Sequence, residues 1–130
     1  TNLQAIIDAC HNKVIHADIV LLISNRPDVG ALTKAQNHNI PTYCSVYKPN
    51  MIARTEYDKQ LAEYINTVDY DLIVCAGWMH LLSKHFLNLI SKPIINLHPA
   101  LPGQFPGKNS IVDAYNGSSY CRGDGCRTSY

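Results

Sequence analysis

Ile19-Val20-Leu21-Leu22-Ile23-Ser24-Asn25-Arg26-Pro27 is the stretch that decides the fold. Its first five side chains are β-branched or leucine, with no polar residue between them. A strand made from them is apolar on both faces, which is the signature of a parallel sheet covered on both sides. Ser24-Asn25-Arg26-Pro27 closes the run with turn-forming residues and a proline. Toward the amino terminus, Leu3, Ile6, Ile7 and Cys10 recur at i, i+3, i+4, i+7, one face of a helix, so the chain opens at a helix start.

Toward the carboxyl terminus the same two periods alternate. A helix is expected from about Val29 to Asn37 and a short strand from Ile40 to Val46. Tyr57, Leu61, Tyr64, Ile65 and Val68 mark a longer amphipathic helix, and Leu72 to Cys75 a second buried strand ended by Ala76-Gly77. Ser83 is placed to cap a helix carrying Phe86, Leu87 and Ile90. Pro93 introduces the strand Ile94-Ile95-Asn96-Leu97, a loop rich in proline and glycine follows, and a last helix starts near Asn109. Short apolar strands alternating with amphipathic helices imply an α/β fold: an open, mainly parallel sheet with helices on both faces. There is no internal repeat. The chain lacks an initiator methionine and a leading strand, and Gly117 to Tyr130 is polar without an apolar period. The expectation is an incomplete domain over residues 1–116 followed by an unmatched polar tail, 117–130.

Bulk properties narrow the function. The 130 residues are 46% hydrophobic and 16% charged, enough for one core of ordinary size. Net charge is +1 with the basic residues scattered, so there is no electrostatic footprint for nucleic acid or an anionic membrane surface. No apolar run approaches the roughly 18 residues that cross a bilayer. Small-molecule partners and a cytoplasmic location are expected. Of five cysteines, Cys10, Cys44 and Cys75 sit in periodic apolar segments, where reduced cysteines act as small core residues. Cys121 and Cys126 are close enough in sequence to pair, but no second pair or histidine cluster accompanies them, and no metal site is expected.

The chemistry concentrates in Ile94-Ile95-Asn96-Leu97-His98-Pro99-Ala100-Leu101-Pro102-Gly103. Residues two apart on a strand face the same way, so Asn96 and His98 share a side at the carboxyl end, the edge where open α/β sheets bind ligands. Pro99 keeps His98 extended. An amide donor beside an imidazole suits acyl transfer: both can hydrogen-bond an oxygen that becomes anionic, and the histidine can also handle a proton. Taken alone, the two residues are equally compatible with a strand end that has no chemistry.

Asn96-Leu97-His98-Pro99-Ala100-Leu101-Pro102 resembles the asparagine-x-histidine-proline-serine-leucine-leucine-proline signature of folate-dependent formyltransferases, with one residue fewer between the prolines. That shorter gap is similar to the variant loop of the fungal glycinamide ribonucleotide formyltransferases. Thr1-Asn2-Leu3-Gln4-Ala5-Ile6-Ile7, Ile23-Ser24-Asn25-Arg26, Asn39-Ile40-Pro41-Thr42 and Cys75-Ala76-Gly77-Trp78-Met79 fit the family in order and spacing, so the resemblance covers roughly residues 1–116. It implies a Rossmann-like formyltransferase fold. It also implies transfer of a formyl group from 10-formyltetrahydrofolate to the amine of glycinamide ribonucleotide, a step of purine synthesis, without a metal. Asn96 and His98 would be the catalytic pair. Gly77, Trp78, Met79, His80, Leu81 and Leu82 resemble the family segment whose backbone lines the folate pocket, with His80 in place of an arginine. Core packing is the other reading of Trp78 and Met79. Thr1 and Asn2 resemble the end of a phosphate loop, where a helix N-terminus can hold the ribonucleotide's phosphate; as residues alone they read as a helix cap. Arg54, in Arg-Thr-Glu-Tyr-Asp, matches a family arginine near both substrates, and an exposed arginine opening a helix is the plainer reading.

The resemblance stops at the tail. Family members continue with a strand and an aspartate-glycine loop that supports the catalytic histidine, whereas Asp124-Gly125 arrives early and follows no apolar strand. Arg122-Gly123-Asp124 is similar to an integrin-binding tripeptide, and such tripeptides arise by chance. Little formyl transfer is therefore expected from the chain as it stands. A catalytically silent fragment and a formyltetrahydrofolate hydrolase are the alternatives; the hydrolase would share the asparagine-histidine pair.

Overall fold

A computed structural model describes residues 2–96, which divide into two compact units. The first comprises residues 2–71 with Leu82–Lys92. It opens with α1 (Asn2–His11), in which Ile7 is the buried member of the predicted apolar face. The helix closes at Lys13, where φ is 56°. There the Val14 amide donates to the Ala9 carbonyl at 2.9 Å and the Lys13 amide to the Cys10 carbonyl at 3.1 Å, a pairing that stops a helix on a left-handed residue. Lysine in that conformation costs about 1 kcal/mol against glycine.

β1 (Leu22–Ser24) and β2 (Thr42–Cys44) pair in parallel with Leu22 opposite Thr42 and Ser24 opposite Cys44. Between them runs α2 (Gly30–Asn37), packed on both strands as a parallel crossover requires. α2 ends like α1, on Asn39 at φ 56°, with the Ile40 amide donating to the Ala35 carbonyl at 2.9 Å. α3 (Arg54–Asn66) buries Tyr57, Leu61 and Ile65, spaced four apart, with Asp58 and Ala62 beside them. The stacked rings of Tyr43 and Tyr64, 3.7 Å apart, join β2 to α3. α4 (Lys84–Leu89) packs on α3 through Phe86. Ser83 caps α4 as expected, its hydroxyl accepting from the Phe86 amide at 3.2 Å. The Asn66 side chain donates to the Leu89 carbonyl at 2.8 Å.

The second unit comprises Leu72–Leu81 and, among the described residues, 93–96. It holds β3 (Ile73–Cys75) and β4 (Ile94–Asn96), parallel, with Ile73 opposite Ile94 and Cys75 opposite Asn96.

The alternating α/β order and the parallel pairing match the sequence reading. Three details differ. Strand pairing is shorter than the apolar runs, three residues in each strand. The runs are also not buried on both faces: Val20, Leu72, Val74 and Ile95 are each more than 40% exposed. A strand's faces are covered by helices packed on them rather than by its neighbours in the ladder, and α2 is the helix that packs on β1 and β2. Cys75 is buried and Cys10 half-buried, but Cys44, at the end of β2, is exposed and is not a core residue.

Candidate active site

The register of the second unit brings two sequence motifs to one edge. Cys75 and Asn96 are opposite each other at the carboxyl ends of β3 and β4, so the segment after Cys75 begins at the ladder edge where Asn96 lies. Asn96 is exposed there. After Cys75 the backbone turns at Gly77, whose φ of 73° favours glycine although nothing lies within 4 Å of the position a Cβ would take.

Trp78 follows half-buried, its indole Nε1 shielded from solvent and without a hydrogen-bond partner among the described residues. Its ring meets that of His80 edge to face at 5.7 Å. Met79 is 62% and Leu81 86% exposed, so Met79 is not core, and the segment offers apolar side chains and backbone to solvent at this edge. Burial pushes the Cys75 thiol above its usual range, which keeps it protonated and unreactive beneath the turn.

The remaining candidates are distributed differently. Leu82 falls in the first unit, half-buried ahead of the Ser83 cap. Asn2 is exposed at the start of α1. His98 and Thr1 lie outside the described residues, as do Asp124 and the 117–130 tail.

Arg54 is more constrained than an arginine that simply opens a helix. It is the first residue of α3, and its Nε donates to Asp58 Oδ1 at 2.8 Å. Asp58 is only 3% exposed, and its second oxygen, Oδ2, has no partner among the described residues. The guanidinium carbon lies 5.4 Å from the centre of the Tyr47 ring and 5.8 Å from that of Tyr57, within cation–π range. Tyr57 is itself fixed, its hydroxyl donating to the Ser45 carbonyl at 2.7 Å. Burial pushes its pKa up, against the Ser45 side chain and the Arg54 charge, which pull it down.

Asp58, Tyr47 and Tyr57 were not singled out as functional from sequence. The signal was there in Arg54-Thr55-Glu56-Tyr57-Asp58. A cation four residues ahead of an acid at a helix start is the less favourable order on an isolated helix, so the pairing needs another reason. Among the described residues no group of three or more histidine, cysteine or acidic side chains is arranged to hold a metal, and no helix is long and apolar enough to cross a membrane.

Compared with known families, residues 1–125 match the model described as formyl transferase. The chain belongs to the formyl transferase family. Phosphoribosylglycinamide formyltransferase of Schizosaccharomyces pombe is 44% identical to it over 88% of this chain and 61% of its own length. The Dictyostelium discoideum enzyme of the same name is 43% identical over 89% of this chain and 62% of its own. Among solved structures, glycinamide ribonucleotide transformylase 1 from Symbiobacterium toebii superposes with a TM-score of 0.79 at 31% identity, over 89% of this chain and 54% of that one. This formyl transferase chain therefore has the Rossmann-like α/β fold read from its sequence, and it spans about three fifths of the length of those two curated relatives.

Proposed function

We propose that the chain carries the formyl-transfer site of a phosphoribosylglycinamide formyltransferase, moving a formyl group from 10-formyltetrahydrofolate to the amine of glycinamide ribonucleotide in purine synthesis. The observation that carries this is the register of Cys75 with Asn96. It brings the Gly77–Leu81 segment and the Asn96 strand end to one edge of one ladder, in a chain of this family.

In this reading the amine nitrogen attacks the formyl carbon and the carbonyl oxygen becomes anionic. Asn96 donates a hydrogen bond to that oxygen, and His98, two residues on, stabilises it and carries the proton from the attacking amine toward folate N10. The bond from the formyl carbon to N10 then breaks and the carbonyl re-forms. Hydrogen bonds aimed at an oxygen that gains charge only in the transition state accelerate the step rather than merely tightening binding. Gly77, Trp78, Met79, His80, Leu81 and Leu82 are assigned to the folate. An imidazole at His80 gives a shorter, titratable contact where relatives carry arginine. Thr1 and Asn2 at the start of α1 are assigned to the phosphate, because a helix start offers unpaired amides and a positive dipole end and the chain has no basic cluster to replace them. Arg54 is assigned to an anionic group of either substrate. The catalytic part is residues 1–116, the location cytoplasmic, and the partners small molecules; no metal is assigned.

The test is steady-state transfer in the chain joined to the flanking segments of its Schizosaccharomyces pombe relative. Asn96→Ala and His98→Ala are each expected to lower kcat by about a hundredfold or more while the folate dissociation constant stays within about threefold. Equal loss of binding and turnover would make these residues structural. Asn96 is exposed, so its truncation leaves no cavity to confuse the result.

A further inference from the structure

We propose that His11 and His38 form a two-histidine site for a divalent ion of the zinc class, one that ties the carboxyl ends of α1 and α2 together. Nothing in the formyl-transfer reading uses either residue.

The fold, not the sequence, brings the two imidazoles together. They come from different helices, and their rings lie 6.4 Å apart, centre to centre, at 62° to one another. His11 is the last residue of α1, and His38 is the cap residue that follows α2. Both residues are exposed, and among the described residues neither imidazole is taken up by a hydrogen bond or an ion pair. Zinc–nitrogen bonds of about 2.0–2.1 Å in a tetrahedral arrangement put two ligating nitrogens roughly 3.4 Å apart and their ring centres about 5 to 6 Å apart. The observed separation is slightly wider, and rotation of two exposed side chains closes it with both helices in place. Imidazole suits zinc, copper and nickel, whereas magnesium and calcium take oxygen ligands, so the pair selects the first class. Water completes the coordination.

The helix ends favour a cation independently of the ring geometry. α1 closes on Lys13 and α2 on Asn39, each at φ 56°, so the two histidines stand in the same position, just ahead of a left-handed stop. The carboxyl end of a helix carries a partial negative charge that acts within its last turn. Two such ends meet here, and an ion between the imidazoles is held by both. Asp8 and Lys34, one turn before His11 and His38, are opposite in charge and offset each other.

α2 returns the chain from the end of β1 to the start of β2, so its carboxyl end lies at the amino edge of that ladder. Open sheets bind substrates at the other edge. The ion is therefore structural: it holds α1 against α2 and touches no reactant.

The experiment titrates the full 130-residue chain with zinc by calorimetry and, separately, with nickel, followed by proton NMR of the imidazole ring signals. His11→Ala and His38→Ala are each expected to weaken zinc binding by about tenfold or more, since losing even a group that only supports a metal ligand costs that much. His16→Ala, at an exposed histidine of the same unit, should change nothing. Zinc should raise the urea midpoint of the unaltered chain and not that of either variant. Paramagnetic nickel should broaden the ring signals of His11 and His38 before those of other histidines. Both residues are exposed, so truncation leaves no cavity, and equal urea midpoints without metal show that the variants fold. Zinc affinity unchanged in both variants, as capture by thiols such as the exposed Cys44 would give, would overturn the proposal. So would nickel broadening that begins at other histidines, or an unaltered chain that binds no zinc.

Discussion

Gly77 illustrates how much one residue position decides. Its φ of 73° turns the chain off β3, and the space around it is open, so the requirement is conformational rather than steric. Gly77→Ala is expected to cost about 1 kcal/mol, read as a lower urea midpoint at unchanged slope, and to weaken folate binding as the Trp78–Leu81 backbone shifts. An unchanged midpoint would mean that the turn relaxes without strain. That Asn96 lies on a strand was legible from sequence, because the apolar pair Ile94-Ile95 after Pro93 leads up to it. The burial of Asp58 was not, because a carboxylate's burial depends on packing that its own segment does not contain. Cys44 and Cys75 make the same point from the other side: both lie in apolar runs, and only the packing leaves one exposed and the other buried.

At the scale of elements, helices were read more faithfully than strands. α3 begins at Arg54, three residues before the apolar stripe opens at Tyr57, because the first turn of a helix is polar and carries no periodic signal. α4 starts where Ser83 said it would, since a cap is a local hydrogen bond written in a single side chain. The ends of α1 and α2 lie on Lys13 and Asn39, and a left-handed lysine gives no advance notice of itself. For strands, an apolar run reports burial, whereas a strand is bounded by pairing. The run beginning at Ile19 therefore enters the ladder only at Leu22, and the stretch read as Ile40 to Val46 pairs only at Thr42–Cys44. Which strand pairs with which, and hence the meeting of the Gly77 turn with Asn96 at one edge, is a property of register that no single segment contains.

For the whole molecule, pH offers a test of the packing. Tyr57, Tyr70 and Cys75 have pKa values raised by burial from ordinary values of 10.0, 10.0 and 9.0. A raised acid keeps its proton longer when folded than when unfolded. Its stabilising contribution is present in full below the unfolded pKa and is lost as pH rises through the folded value. The urea midpoint should therefore be level near neutral pH and fall above about pH 9, with the steeper part near the tyrosine range. Tyr57→Phe should flatten that fall, and an unaltered alkaline slope in this variant would mean that Tyr57 is not buried as described.

In the proposed reaction formyl passes to an amine rather than to water, and the fate of the formyl group separates the two. With 10-formyltetrahydrofolate and the chain joined to the flanking segments of its Schizosaccharomyces pombe relative, the account predicts that folate is deformylated only when glycinamide ribonucleotide is present, with one formylated amine formed for each folate consumed. Formate released at the same rate with and without the ribonucleotide would contradict it and make the Asn96 and His98 pair that of a hydrolase.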